Sequence, residues 1–208
     1  VGLLNSLYGL KNYLPTKREL ALNAIHIEQN LINENVGSQD QTAAAFGGMN
    51  RIFFSRENII DVDLILISQD RLIQLQNNLM LFFTGFARNA SDIAKEQIKV
   101  TLRKKRELDS IYDICLEGFS VLNDDSESID RVGKLLNDQW LIKRSLTDKI
   151  TNKNIDDIYN AGIEAGALGG KLLGAGAGGF ILFYVPKEKQ EAVKNSLKTK
   201  LLVPFRFE

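Results

Sequence analysis

The sequence predicts an α+β fold, and three observations carry that reading. Apolar residues recur at helical spacing in some segments and alternate in others, and the two patterns occupy separate runs. The C-terminal portion reads strand, glycine-rich loop, strand, helix, strand. The third observation is bulk: 208 residues, 44% hydrophobic and 25% charged, can bury a substantial core in one or two domains of a soluble globular protein.

The opening "VGLLNSLYGL" sets Val1, Leu4, Leu7 and Tyr8 at helical spacing. Neither a capping residue nor an initiator Met precedes them, so the chain is expected to begin inside a helix of a longer protein. After Pro15, Thr16 and Glu19 form a capping box, and the helix is expected to run to about Asn33. One stripe of it reads Ala21, Ile25, Glu28, Ile32. A carboxylate there is paired, hydrogen-bonded or metal-bound, or else it snorkels from the edge of the stripe. In "VGSQDQTAAAFGG", Ser38 can cap, Gln41 can close a second capping box, and Gly47 and Gly48 end the helix. Asp40 then lies in the first turn, where free amides and the helix dipole favour an ionised carboxylate. That suits a base or a cation holder, but by position alone Asp40 reads as a residue that only improves the helix start.

Strands follow in "NRIFF", "NIIDVDLILIS" and, after a short helical link, "NNLMLFFTG". "FARNASDIAKEQ" opens one long helix, capped at Asn89 or Ser91, with Ile93, Val100, Leu108, Ile111, Cys115 and Phe119 on its buried side. Past the polar "NDDSES" come a helix through Val132, Leu135, Leu136, Trp140 and Leu146 and another through Ile155, Ile158, Tyr159 and Ile163. The chain closes with the strand "FILFYV", a helix from Lys187 to about Lys200, and a strand in which Val203, Phe205 and Phe207 alternate. The internal boundary is expected near Leu75 to Asn78, giving segments 1–75 and 76–208.

Lys+Arg and Asp+Glu both number 26, which leaves no net field to draw nucleic acid or an anionic membrane as partner. The basic run Arg103 to Arg106 reads as a solvated helix face. One cysteine excludes an intramolecular disulfide and a cysteine-rich zinc site, and suits the cytoplasm. No apolar run reaches the ~18 residues of a membrane span. His26, the sole histidine, sits on the more polar helix face and has no partners for a zinc site or a triad.

"GAGAGG", Gly174 to Gly179, matches GxGxxG by letter. A dinucleotide site needs a helix after the glycines, whereas Phe180 to Val185 reads as a strand, and no Gly-Lys-Ser/Thr ends the run as a Walker loop requires. What remains is a strand-loop-strand in which glycine lets backbone approach backbone, or exposes amides to an anion. Lys171, just before it, is read as solvated.

"AIHIEQNLINENVGSQDQTAAAFGGMN", "LFFTGFARNASDIAKEQ", "GKLLNDQWLIKRSL" and "GGKLLGAGAGGFILFYVP" occur in the order and approximate spacing of the GHMP kinases, the galactokinase, homoserine kinase, mevalonate kinase and phosphomevalonate kinase superfamily. Within it the chain most resembles the bacterial D-glycero-D-manno-heptose 7-phosphate kinases. The resemblance implies a GHMP kinase fold: part of an N-terminal ribosomal protein S5 domain 2-like domain over 1–75, then a ferredoxin-like C-terminal domain with extra helices over 76–208. It implies ATP-dependent phosphorylation of a sugar phosphate at its anomeric hydroxyl, with ATP and Mg2+ as cofactors, and it allows a homodimer. Asp40 matches the family's catalytic aspartate and Glu28 the glutamate that holds Mg2+ between the ATP phosphates. Gln39 and Arg88 are placed on the substrate, Arg88 as a bidentate grip on the phosphate it carries. Gly174, Gly176, Gly178 and Gly179 match the third GHMP motif, a glycine loop beside the ATP site.

The family's second motif, which wraps the ATP phosphates, is absent from the sequence, so these 208 residues alone are expected to lack kinase activity. Two other readings stand beside the heptose kinase. One is a galactokinase-like or fucokinase-like enzyme, and the other is a non-catalytic remnant or sugar-binding module of the same fold.

Overall fold

The computed structural model describes residues 1–55, 57, 59–86 and 90–207, with the backbone alone at 90–92. The chain divides into two compact units, Val1–Ile65 and Leu66–Arg206. The boundary expected after residue 75 falls inside the first helix of the second unit.

The first unit runs α1 (Gly2–Leu10), α2 (Lys17–His26), a π-helical turn (Ile27–Leu31), α3 (Gln39–Phe46), β1 (Asn50–Phe54) and β2 (Ile60–Leu64). Thr16 caps α2, its hydroxyl oxygen accepting the Glu19 amide at 3.2 Å. The Glu19 carboxylate accepts the Tyr13 hydroxyl at 2.5 Å instead of closing the box. Ala21 and Ala24 of α2 are buried, as are Gln41 and Thr42 of α3, and the two alanines let the helices pack closely. Strands β1 and β2 form an antiparallel hairpin, with Asn50 opposite Leu64 and Phe54 opposite Ile60.

The second unit runs α4 (Gln69–Asn78), β3 (Leu79–Phe83), α5 (Ala90–Thr101), α6 (Lys105–Asn123), α7 (Asp130–Arg144), α8 (Lys153–Glu164), β4 (Gly169–Leu172), β5 (Phe180–Tyr184), a 3-10 turn (Lys187–Lys189), α9 (Gln190–Ser196) and β6 (Leu201–Val203). Its sheet has the order β4-β5-β3-β6 with every neighbouring pair antiparallel. This is the ferredoxin-like β-α-β-β-α-β order, with extra helices between its first two strands. Among the described residues no helix is long and apolar enough to cross a membrane.

Three expectations are corrected here. The long helix expected from residue 90 is two, because Arg103 and Lys104 donate to Val100 and Thr101 and close α5 early, at a run of like charges that repel along a helix. Cys115 is exposed instead of buried, since the helix restarts at Lys105 on its own phase. The closing strand stops at Val203, because Pro204 has no amide to donate to a ladder. The cap expected at Asn89 or Ser91 lies outside the described residues and side chains.

Pairing across the sheet assigns its faces. Gly170, Phe183 and Met80 lie opposite one another, and so do Leu172, Ile181 and Phe82. Five of these six are buried core side chains or sit against one: Met80, Phe82, Leu172, Ile181 and Phe183 share a cluster with Trp140, Ile155, Ile158 and Tyr159. Tyr159 stacks on Phe183 with ring centroids 5.9 Å apart, and α8 comes so close that a Cβ on Gly162 would lie 2.6 Å from the Phe183 ring. Gly169 and Lys171 point to the other face, which receives α7. A Cβ on Gly169 would lie 1.9 Å from the carbonyl oxygen of Gly133, so glycines set the distance between β4 and α7.

Candidate active site

The first unit places Glu28 and the start of α3 together. Glu28 lies in the π-helical turn that ends α2, where the widened backbone breaks the 3.6-residue stripe, and Ile32, which that stripe would bury, is 61% exposed. The amide of Glu34 donates to the Glu28 carbonyl at 2.8 Å and turns the chain toward α3. Ser38 does not cap α3, contrary to the sequence expectation. Its backbone is already helical, at φ −100 and ψ 0, and its hydroxyl accepts from the Gln29 side chain at 3.2 Å. Gln41 does not close a box either. It is 4% exposed, and its Nε2 donates to Glu28 Oε2 at 2.5 Å. A carboxylate cannot donate in return, so the nitrogen is fixed on that side, and Oε1 is left without a partner among the described residues.

The residue before Gln41 is Asp40, exposed in the first turn of α3. Gln39, also exposed, folds over Gly37, where a Cβ would lie 2.1 Å from its Oε1. Thr42, fully buried, anchors the turn by donating to the Ser38 carbonyl at 2.7 Å. Neither Glu28 nor Asp40 forms an ion pair among the described residues. Residue 41, between the acidic position and the buried Thr42, therefore ties the helix start to a half-buried carboxylate on the neighbouring turn. Sequence reading missed Gln41 because its capping-box spacing offered a local partner that the Ser38 backbone refuses.

Mg2+ usually takes one or two protein carboxylates and completes its shell with water and phosphate oxygens. A carboxylate with one neutral donor and no cation partner suits that use. Among the described residues no group of three or more His, Cys, Asp or Glu forms a closed cage. His26 is exposed, as the polar face predicted, and among the described residues it meets Asn30 at 3.1 Å. Arg88 lies outside the described residues.

The glycine loop belongs to the second unit. It connects β4 to the antiparallel β5, which excludes the dinucleotide reading on structure as on sequence. Positive φ occurs at Gly174 (74), Gly176 (129), Ala177 (61) and Gly179 (98), so the path needs glycine. Some of it is close packing: the Ala177 amide donates to Ile150 O at 2.8 Å, and a Cβ on Gly176 would meet that same oxygen at 2.8 Å. Gln97 Nε2 and Lys143 Nζ each donate into the loop, to Ala175 O and Gly174 O, both at 2.6 Å.

Lys171 is partly buried, whereas the sequence suggested a solvated lysine. It is an interior residue of β4 on the α7 face, and burial lowers its pKa. Lys143, near the end of α7, is pushed down to about 8, first by burial and then by the charge of Lys171. Its ordinary value is 10.5, so the folded chain releases this proton more readily than the unfolded one. The resulting cost to stability is fully present below pH 8 and gone above 10.5. Lys143→Met is therefore expected to raise the unfolding free energy at pH 7 by up to about 3 kcal/mol, less about 1 for the lost hydrogen bond. Urea denaturation across pH 7 to 10.5 should show the gain shrinking. A loss of stability at pH 7 would mean the lysine holds the fold together.

The family described as GHMP kinases C terminal matches residues 121–202. D-glycero-alpha-D-manno-heptose 7-phosphate kinase of Campylobacter jejuni is 30% identical over 200 residues, covering 93% of this chain and 58% of that protein. Galactokinase of Pyrococcus furiosus is 23% identical over 229 residues, covering 97% and 62%. Among solved structures, a D-glycero-D-manno-heptose 1-phosphate kinase from Bacteroides thetaiotaomicron superposes with a TM-score of 0.71 at 22% identity, covering 98% of this chain and 56% of that one. The fold is thus that of a GHMP kinase. Residues 121–202 match a GHMP kinase C-terminal domain. The chain spans about three fifths of the length of the curated relatives it matches.

Proposed function

We propose that this chain supplies the acceptor-side and metal-side carboxylates of an ATP-dependent sugar-phosphate kinase. The substrate would be D-glycero-D-manno-heptose 7-phosphate, phosphorylated at the anomeric hydroxyl to the 1,7-bisphosphate. The observation that carries the proposal is the Gln41 bond, which links the turn bearing Asp40 to an otherwise uncompensated Glu28. The relative that is 30% identical, named for a heptose 7-phosphate, supports the choice of substrate.

In this reading Asp40 accepts the proton of the anomeric hydroxyl as its oxygen bonds to the γ-phosphorus and the bond to ADP breaks. Glu28, oriented by Gln41, would hold Mg2+. When bound, that ion neutralises charge on the nucleotide phosphates. Gln39, exposed beside Asp40, faces the acceptor, and Arg88 grips the phosphate already on the sugar. The glycine loop backs the nucleotide site. A reducing cytoplasm suits such an enzyme.

The test is ADP release with heptose 7-phosphate, galactose and mevalonate as acceptors. It uses a polypeptide that joins residues 1–208 to the phosphate-binding loop of the relatives. Turnover of the sugar phosphate alone is expected, with Glu28→Gln raising the Mg2+ needed for half-maximal rate by about tenfold or more. Turnover of galactose in preference would establish the galactokinase-like reading instead. Sugar binding with no ADP release from any acceptor would leave a non-catalytic module.

A further inference from the structure

The π-helical turn does more than accommodate Glu28: it aims two adjacent side chains at the start of α3. Neighbouring residues of an α-helix point about 100° apart, so they seldom face the same partner. Here the Ile32 amide donates back to the Ile27 carbonyl, five residues away, at 3.0 Å. The wider turn lets residues 28 and 29 both reach the segment that leads into α3. Glu28 Oε2 accepts from Gln41, while Gln29 Nε2 donates to Val36 O at 3.0 Å and to Ser38 Oγ at 3.2 Å. Asn33, at φ 53, helps bring the chain back toward the turn.

Asp40 sits inside a closed backbone turn. The Ser38 carbonyl accepts the Thr42 amide at 3.3 Å and the Thr42 hydroxyl at 2.7 Å, so residues 38 to 42 move as a unit. Gln29 holds the near end of that unit twice, through the Ser38 hydroxyl and through the carbonyl of Val36 just before it. Gln29, Val36 and Ser38 are all half-buried, where water competes less for such bonds. We infer that Gln29 is a positioning residue: by fixing Ser38 it fixes the first turn of α3, and with it the place of the Asp40 carboxylate. The inference rests on the reading of Asp40 as the acceptor-side base. Gln41 orients the carboxylate on the metal side, and Gln29 fixes the one on the acceptor side. A reacting group displaced by about 1 Å loses about 10²-fold in rate, so a partial release of this turn is visible in turnover.

Gln29→Met keeps the length of the side chain and removes both donated bonds. In the 208-residue chain, hydrogen exchange of the Thr42 amide, bonded to Ser38 O, is expected to quicken by about threefold or more. Exchange of the Leu20 amide, bonded to Thr16 O in α2, is expected to stay as in wild type. In the polypeptide that joins residues 1–208 to the phosphate-binding loop of the relatives, kcat is expected to fall about tenfold, with the sugar-phosphate KM and the Mg2+ needed for half-maximal rate each within about twofold. Ser38→Ala completes a double-mutant cycle: it removes one of the same two bonds, so the double variant is expected to be no slower than Gln29→Met. Should Gln29→Met fail to fold, Ser38→Ala alone is expected to quicken Thr42 exchange and lower kcat, each by about threefold. Unchanged Thr42 exchange, a kcat defect recovered by raising Mg2+, or losses that add in the double variant would each overturn the inference. A wild-type polypeptide that turns over no acceptor strikes the kinase reading, and Thr42 exchange still decides whether Gln29 holds α3.

Discussion

Asp40→Asn is expected to lower kcat by about 10³-fold, within the range for loss of a general base, while the nucleotide Kd stays within about twofold. The variant belongs in the polypeptide that joins residues 1–208 to the phosphate-binding loop of the relatives. The substitution keeps size and hydrogen-bonding reach and removes only the ability to take a proton. Its structural cost is small, because Asp40 is exposed and its helix-start contribution is at most about 1 kcal/mol. Initial rates and nucleotide titration on the same preparation separate the two effects. Near-normal turnover would remove Asp40 from the acceptor side, and a matching loss of nucleotide affinity would move it to the metal. Gln41→Leu makes a second comparison: it leaves Asp40 intact and frees the Glu28 carboxylate, so its defect should be largely recovered by raising Mg2+.

How far the sequence could be read depended on how local each cause was. The Thr16 cap and the strands around Asn50, Leu79 and Phe180 follow from neighbours a few residues away, and they appear where the pattern put them. The strand after Gly179 was legible for the same reason, which is why the glycine loop could be separated from a dinucleotide fingerprint before any coordinates. Glu28 stood out as a carboxylate in an apolar stripe. The π-helical turn that resolves the conflict was hidden, because it depends on what α3 offers across the gap. Ser38 and Gln41 had the letters of a capping box, but the Ser38 dihedrals and the Glu28 carboxylate gave them other partners. Lys171 was misread for a longer-range reason. A lysine beside a strand is solvated unless a helix lies over it, and here the approach of α7 is set by glycines far away in the sequence.

Gly169→Ala is expected to destabilise the chain by at least about 3 kcal/mol, at the upper end for overpacking. For a chain of this size that is a fall of roughly 6–12 °C in Tm. Its new Cβ would sit 1.9 Å from Gly133 O, a backbone atom that cannot rotate aside, and also 2.9 Å from the Asn137 backbone nitrogen. The whole of α7 must retreat from β4, carrying Lys143 away from Gly174. Gly174→Ala is the control. No atom lies within 4 Å of its Cβ position, so only the left-handed backbone at φ +74 is strained, at about 1 kcal/mol. If glycine served this region only by permitting unusual dihedrals, Gly174→Ala would be the worse of the two, since it alone has positive φ. Thermal melts showing the opposite order would establish that the glycine in β4 is there for helix approach.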